Sequence, residues 1–261
     1  RRRRKTQYLT FTYKWWCHYC SRYILKKIVQ FSGGKDSIVC LHMFKDAPNI
    51  TAIYVNTGAA FPHVVEHIQK TCDTFGIPLI TILLDKSVIE WQKENGLPAD
   101  IIPCDSTPYM QRISKNDFGA ILVPYIDCCY ANIHLPLQRF ITEHNVTDVI
   151  RGSKECDKQV GVADGYIEDG VTYHSPLWNW SDKDVFEYIK KHNITIPDNY
   201  KNPDSDSLDC WNCTAYMGKT GAARIKYVKE NLPEHYNELA GNIAIVKSTV
   251  QNAIDYYNEG F

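Results

Sequence analysis

Long apolar runs are absent from this 261-residue chain. The longest, such as Ile77 to Leu84 with its one Thr and one Pro, fall far short of the roughly 18 residues a membrane span needs, so no membrane-spanning helix is expected. Internal repeats and strong compositional bias are also missing. Hydrophobic residues make up 44% and charged residues 23%, near the soluble globular average, which excludes a fibrous, collagenous or unfolded chain. Residues 1–30 contain no Asp or Glu, against nine Lys/Arg. Within that head, the aromatics between Tyr8 and Tyr23 keep neither helical nor strand spacing, and the apolar core and small-residue cleavage site of a secretory signal are missing. Residues 1–25 therefore read as a weakly ordered or non-native extension, with a basic interaction arm as the alternative.

The rest of the chain sets 20 Lys/Arg against 30 Asp/Glu, a net charge of −10. Such a body has little general attraction for nucleic acid or an anionic membrane. Ten cysteines in a chain large enough to bury its own core do not make a disulfide scaffold. Their grouping says more. Cys17/Cys20, Cys128/Cys129 and Cys210/Cys213 stand in close pairs, as metal ligands do in reducing compartments, so a cytoplasmic location is expected. Cys40 and Cys72 fall in apolar helical patterns and read as small buried hydrophobes.

From Lys26 onward, strand and helix signals alternate. Ile28 to Phe31 reads as a strand and Ser32 to Ser37 as a glycine loop, followed by a helix from Ile38. Ile50 to Val55 is a second strand, Pro62 to Phe75 a helix closed by Gly76, and Pro78 to Leu84 a third strand. After a Pro-rich middle come a helix over Leu135 to Asn145, a strand over Thr147 to Arg151 and a helix capped by Ser181 with Asp184. This rhythm predicts an α/β fold: an open, mainly parallel sheet with helices on both faces. One domain is expected over 26–261, irregular from about 195 onward.

The segment Ser32-Gly33-Gly34-Lys35-Asp36-Ser37, set between strand and helix, brings backbone N–H groups and a helix N-terminus to one point, a geometry that binds phosphate. Gly33 and Gly34 let the backbone approach an anion, Lys35 adds a positive charge, and Ser32 and Ser37 can donate hydroxyl hydrogen bonds. Asp36 would repel phosphate unless it holds Mg²⁺ or orders the loop. The nucleoside triphosphatase P-loop is different, because its glycines lie further apart and its Lys directly precedes Ser/Thr.

This loop resembles the PP-loop of the ATP pyrophosphatase superfamily, which binds the pyrophosphate end of ATP while the α-phosphate is attacked. Asn56-Thr57-Gly58 with Phe61-Pro62 and Glu66 is similar to the "Asp-Thr-Gly, Phe-Pro-Glu-Thr" segment of the phosphoadenosine phosphosulfate reductase and sulfate adenylyltransferase small-subunit branch, with Asn56 in place of Asp and His63 where that Glu stands. Gly152 and Lys154 fall where those reductases have a Gly followed by basic residues that grip nucleotide or sulfate. A solvated surface Lys is the other reading of Lys154. Pro176-Leu177, Trp180 and Asp182 to Ile189 extend the resemblance to about residues 26–217. It implies an adenine nucleotide, ATP or a relative, bound at Ser32 to Ser37, Asn56 to Gly58 and Gly152, with Lys35, Asp36 and Lys154 in catalytic roles.

Cys128-Cys129 precedes Cys210-Trp211-Asn212-Cys213 by some 80 residues, and both pairs sit in loop-like sequence. Four Cys ligands suit Zn²⁺ or a [4Fe–4S] cluster. Adjacent cysteines are awkward for zinc, whose paired ligands are usually about two to four residues apart, and that tilts the choice towards iron. The pattern resembles assimilatory adenylylsulfate reductases, whose Cys-Cys and Cys-x-x-Cys hold a [4Fe–4S] cluster, although Asn132 and Ile133 replace their sulfate-facing basic pair. No Cys follows Cys213, where the reductases carry a nucleophilic Cys, and the PP-loop is intact where reductases usually have a degenerate one. The expectation is an ATP-using member that releases AMP and pyrophosphate to activate a substrate for sulfur transfer. DNA phosphorothioation and tRNA thiolation proteins are similar in joining a PP-loop to a cluster. The implied partners are a nucleic-acid or protein acceptor of sulfur and a partner subunit. A sulfonucleotide reductase and a non-catalytic nucleotide-binding subunit are the alternatives.

Overall fold

The computed structural model describes residues 9–11, 26–101, 107–157, 163–201 and 210–259. The chain runs through β1 (Leu9–Phe11), β2 (Lys27–Gln30), α1 (Lys35–Met43), β3 (Ile50–Asn56), α2 (Pro62–Phe75) and β4 (Leu79–Leu83). It continues with α3 (Val88–Asn95), β5 (Leu97–Ala99), α4 (Pro108–Ser114), β6 (Leu122–Pro124), α5 (Tyr125–Cys129) and α6 (Leu135–Glu143). It closes with β7 (Asp148–Ile150), β8 (Tyr166–Glu168), β9 (Val171–His174), α7 (Asp182–Lys191), α8 (Lys219–Asn231) and α9 (Pro233–Glu259). Among the described residues no helix is long and apolar enough to cross a membrane.

Where the sequence suggests one domain over 26–261, the chain divides into two compact units. The first takes residues 1–56, 61–85 and 136–200, and the second takes 57–60, 86–135 and 201–261. The first unit is the expected α/β fold, a seven-stranded sheet in the order β1-β4-β3-β2-β7-β9-β8. Every pairing is parallel except that of β8 with β9. Strands buried on both faces need continuous apolar residues, and Ile28, Val29, Val149 and Ile150 are fully buried at the sheet's centre. Pro at the first turn of α2 and left-handed Gly76 at its end set that helix, and the Ser181–Asp184 capping box starts α7. Within the head, Leu9–Phe11 pairs with β4 at the sheet edge, and Cys17 and Cys20 lie outside the described residues.

The second unit holds the two-stranded parallel pair β5–β6, and Ala99, Ile113, Phe118 and Leu122 pack there with Ala253 of α9. The reading of the chain as irregular from about 195 fails beyond Gly218. Helices α8 and α9 occupy most of that segment. The spacing behind α9 is helical, with Leu239, Val246, Val250 and Ala253 recurring across an otherwise polar tract, but one sparse apolar stripe is a weak signal in sequence.

Candidate functional site

In the first unit, β2 lies between β3 on one side and β7 on the other, so the strand order reverses between β2 and β7. Ligands of open α/β sheets settle at such a switch point, outside the carboxyl ends of the strands. Ser32 to Ser37 follow β2, and Gly152 to Lys154 follow β7. The two segments therefore meet. A Cβ on Gly152 would lie 2.8 Å from the carbonyl carbon of Asp36 and 2.9 Å from the amide nitrogen of Ser37. Only glycine lets the two backbones touch there. Gly33 is held in the left-handed region (φ +80°), and a Cβ on it would press on Ile68. Gly34 caps α1 in ordinary extended geometry without a side-chain hydrogen bond, which leaves the positive end of the helix dipole to attract an anion. Ser37 Oγ donates to the Gly34 carbonyl at 2.9 Å and stands 3.4 Å from Ser32 Oγ, and the Lys35 amide donates to Tyr200 Oη at 3.1 Å.

Two lysines converge on one carboxylate at this helix start. Lys35 Nζ meets Asp36 Oδ2 at 2.9 Å, and Lys154 Nζ meets Asp36 Oδ1 at 2.7 Å. Lys154 is a buried cation, its side chain 1% exposed, and not a solvated surface residue. Asp157 and the largely exposed Asp182 add carboxylates 3.2 and 3.4 Å from its Nζ, and Asp182 also lies 3.2 Å from Lys35 Nζ. Burial pulls the Lys154 ammonium down, but its hydrogen bonds and charge contacts with Asp36 and Asp157 together hold it above the ordinary lysine value. Lys35 is raised in the same way, by Asp36 against burial. Burial works against the Asp182 carboxylate, and Lys35 and Lys154 together hold it below the usual range. A depressed carboxyl contributes stability above its unfolded value of about 3.9 and loses it as pH falls through the folded value. The stability difference between wild type and Asp182→Asn is therefore expected to be full-sized above about pH 5 and gone near pH 2, read from urea unfolding across that window.

The second unit gathers the four cysteines. Cys128, Cys129, Cys210 and Cys213 line one cavity of about 220 Å³. Helix α5 ends on Cys129 and runs into a wide π-type turn, Tyr130–His134, a distortion frequent at functional sites. Thr57, expected at the nucleotide, places its Oγ1 3.3 Å from Cys210 Sγ. Gly58 has φ +80°, and a Cβ on it would stand 2.7 Å from Ser87 Cβ, while Asn56 ends β3 in the first unit. Burial pushes the Cys128 thiol up to about 11, and Gln92 and Asn132 offset part of that. Gln92 Nε2 lies 3.7 Å from Cys128 Sγ, and Asn132 Nδ2 donates to the Cys128 carbonyl at 2.9 Å. At the position of the reductases' basic residue, Asn132 thus supports the cysteine turn. Among the described residues, no three of His, Cys, Asp or Glu stand together as a ready site for a single metal ion.

Sequence reasoning missed Asp157, Asp182 and Tyr200 at the lysines, and Gln92 and Arg224 at the cysteines. Asp182 had a signal, since it sits between the N-cap Ser181 and the box residue Asp184. Tyr200, 165 positions from Lys35, had none.

A family model described as the phosphoadenosine phosphosulfate reductase domain matches residues 26–216. The chain is 24% identical over 188 residues to adenosine 5′-phosphosulfate reductase of Salinibacter ruber, covering 69% of this chain and 64% of that protein. It is 24% identical over 181 residues to sulfate adenylyltransferase subunit 2 of Streptomyces lavendulae, covering 67% of this chain and 56% of that one. The matched stretch thus spans rather more than half the length of these relatives. The crystal structure of phosphoadenylyl-sulfate reductase from Candida auris, a phosphate complex, superposes with a TM-score of 0.50 at 20% identity, over 71% of this chain and 81% of that one, a likeness of fold.

Proposed function

The chain belongs to the phosphoadenosine phosphosulfate reductase family, and from that premise we propose that it is an enzyme of sulfur metabolism that binds ATP or a related adenine nucleotide on the Ser32–Ser37 loop. In this reading it cleaves ATP to AMP and pyrophosphate and so activates an acceptor for sulfur transfer. The observation that carries it is the pair of buried lysines, one at the start of α1 and one in the loop after β7, both held by Asp36 at the N-terminus of α1. Departing pyrophosphate gathers negative charge, and fixed cations with a helix N-terminus in a partly buried site stabilise that charge without rearranging. Asp36 fits the ordering role, because each of its oxygens meets a lysine. Mg²⁺ usually rests on substrate phosphates and one or two carboxylates, and Asp157 and Asp182 are the carboxylates at hand.

We read the cysteine cavity as a [4Fe–4S] site in preference to a Zn²⁺ site, a reading supported by the adjacent Cys128 and Cys129, a spacing awkward for zinc. One zinc ion draws four sulfurs to about 2.3 Å from itself. Here the four cysteines line one cavity of about 220 Å³ together with Thr57, Gln92, Asn132 and Arg224. When bound, a cluster supplies one-electron or sulfur chemistry beside the chain's own residues. Thr57, Gln92 and Asn132 position its cysteines.

A second reading, reduction of adenylylsulfate or phosphoadenylylsulfate to sulfite, is favoured by the names of the reductase relatives. The match to a sulfate adenylyltransferase subunit supports a third, in which the chain binds nucleotide and turns over only with a partner subunit. One experiment separates them. Anaerobically prepared protein is incubated with ATP, Mg²⁺ and candidate protein or nucleic-acid acceptors, and in parallel with each sulfonucleotide and reduced thioredoxin. AMP and pyrophosphate in the first arm support the proposal. Sulfite in the second without ATP consumption overturns it, and tight ATP binding without products points to the subunit.

A further inference from the structure

Arg224 of α8 lines the cysteine cavity and is 7% exposed. Its Nη2 donates to the carbonyls of Cys213 at 2.9 Å and Ala215 at 2.6 Å, and its Nε has no partner among the described residues. None of the described ion pairs gives it a carboxylate, and no Asp or Glu is among the described residues that line the cavity. The neutral polar groups also turn positive ends inward. Asn212 Nδ2 donates to Gln92 Oε1 at 2.9 Å, which fixes the Gln92 amide with its NH₂ towards Cys128, and Asn132 Nδ2 stands 3.9 Å from the same sulfur. A guanidinium taken out of water is costly unless an opposite charge meets it, and two carbonyl dipoles do not neutralise it. Among the described residues nothing supplies the opposite charge, and an anionic group filling the cavity would.

We propose that Arg224 is the fixed counter-charge of this site, so that the cavity takes a metal–thiolate group of net negative charge and Arg224 holds its reduction potential up. The proposal rests on the cluster reading. Four thiolates outweigh the charge of a [4Fe–4S] core, and the one-electron reduced form carries one negative charge more. A nearby permanent cation therefore favours the reduced form over the oxidised one. Four thiolates on one Zn²⁺ are also a net anion, so Arg224 would hold that group too, without a potential to measure.

The test uses the full chain, reconstituted anaerobically with ferrous iron and sulfide, as wild type, Arg224→Lys and Arg224→Met. Iron and sulfide are counted per chain, and the midpoint potential is taken from an EPR-monitored redox titration. Arg224→Lys should stay near wild type. Arg224→Met should fall by about 60 mV or more, a tenfold change in a one-electron equilibrium. Equal potentials in wild type and Arg224→Met, or an equal fall in both variants, would overturn the proposal. If Arg224→Met takes up no iron, full loading of Arg224→Lys supports the proposal, and loss of loading there too overturns it. If the wild type itself takes up no iron, the cluster reading fails separately. Zinc affinity in a chelator competition then decides on Arg224: at least tenfold weaker binding in Arg224→Met than in Arg224→Lys supports the counter-charge, and equal binding overturns it.

Discussion

Lys154→Met is expected to lower turnover of the nucleotide by about 10²–10³-fold, the usual loss when one fixed electrostatic donor is taken from a reacting anion. The chain should stay folded. Met matches the length and apolar stem of a side chain that is 1% exposed, and removing one partner of a buried ion pair is severe only where it strands the other charge away from water or any second partner. Asp36 keeps Lys35 at 2.9 Å, while Asp157 and Asp182 reach solvent and can be hydrated there. The cost therefore falls on the anion and not on the fold. Measuring kcat/KM beside thermal unfolding separates the two. A loss under about threefold with unchanged unfolding would mean that the Lys154 charge does not face the reacting phosphate. Lys154→Arg should recover only part of the activity, because a planar guanidinium cannot reproduce an ammonium held between three carboxylates.

How far the site was legible in sequence depends on distance along the chain. The Ser32–Ser37 loop could be read because its parts are consecutive: β2, the glycines, Lys35 and the start of α1 occupy one short stretch. The parallel sheet was legible from the same alternation. Lys154 was open to two readings, since a single Lys after a strand carries no mark of burial, and only the return of β7 beside β2 brings it to Asp36. The four cysteines could be paired by spacing and resemblance, but Arg224 could not be placed. In sequence it sits among Lys219, Lys226 and Lys229 and looks like one cation of a solvated face, whereas the fold turns it in to the Cys213 carbonyl. Thr57 has a neighbour that the sequence did not announce, for a related reason. It follows β3 directly, which points to the nucleotide, yet its hydroxyl lies beside Cys210, 153 residues away.

Gly152→Ala carries the other large effect, and it acts through backbone alone. No charge or hydrogen-bonding group is lost. The added methyl would meet the Asp36 carbonyl carbon at 2.8 Å and the Ser37 nitrogen at 2.9 Å, distances real Cβ atoms do not adopt, so the start of α1 must move away from the end of β7. Overpacking of this kind costs about 1–3 kcal/mol. The larger consequence is positional. The loop amides, Lys35 and Asp36 move with α1 while Lys154 stays with β7, and a misplacement of about 1 Å can cost 10²-fold in a preorganised site. Nucleotide affinity and turnover should thus fall together, and Lys154→Met combined with Gly152→Ala should lose less than the product of the single effects, because both break the same meeting of two strand ends. Gly241→Ala is the control: it lies within α9 with open space where its Cβ would go, and it should leave turnover unchanged while gaining about 0.5–1 kcal/mol of helix stability. If Gly152→Ala kept wild-type affinity despite a lowered unfolding midpoint, the contact between β7 and α1 would serve the fold only, and the switch point would not be where the phosphates sit.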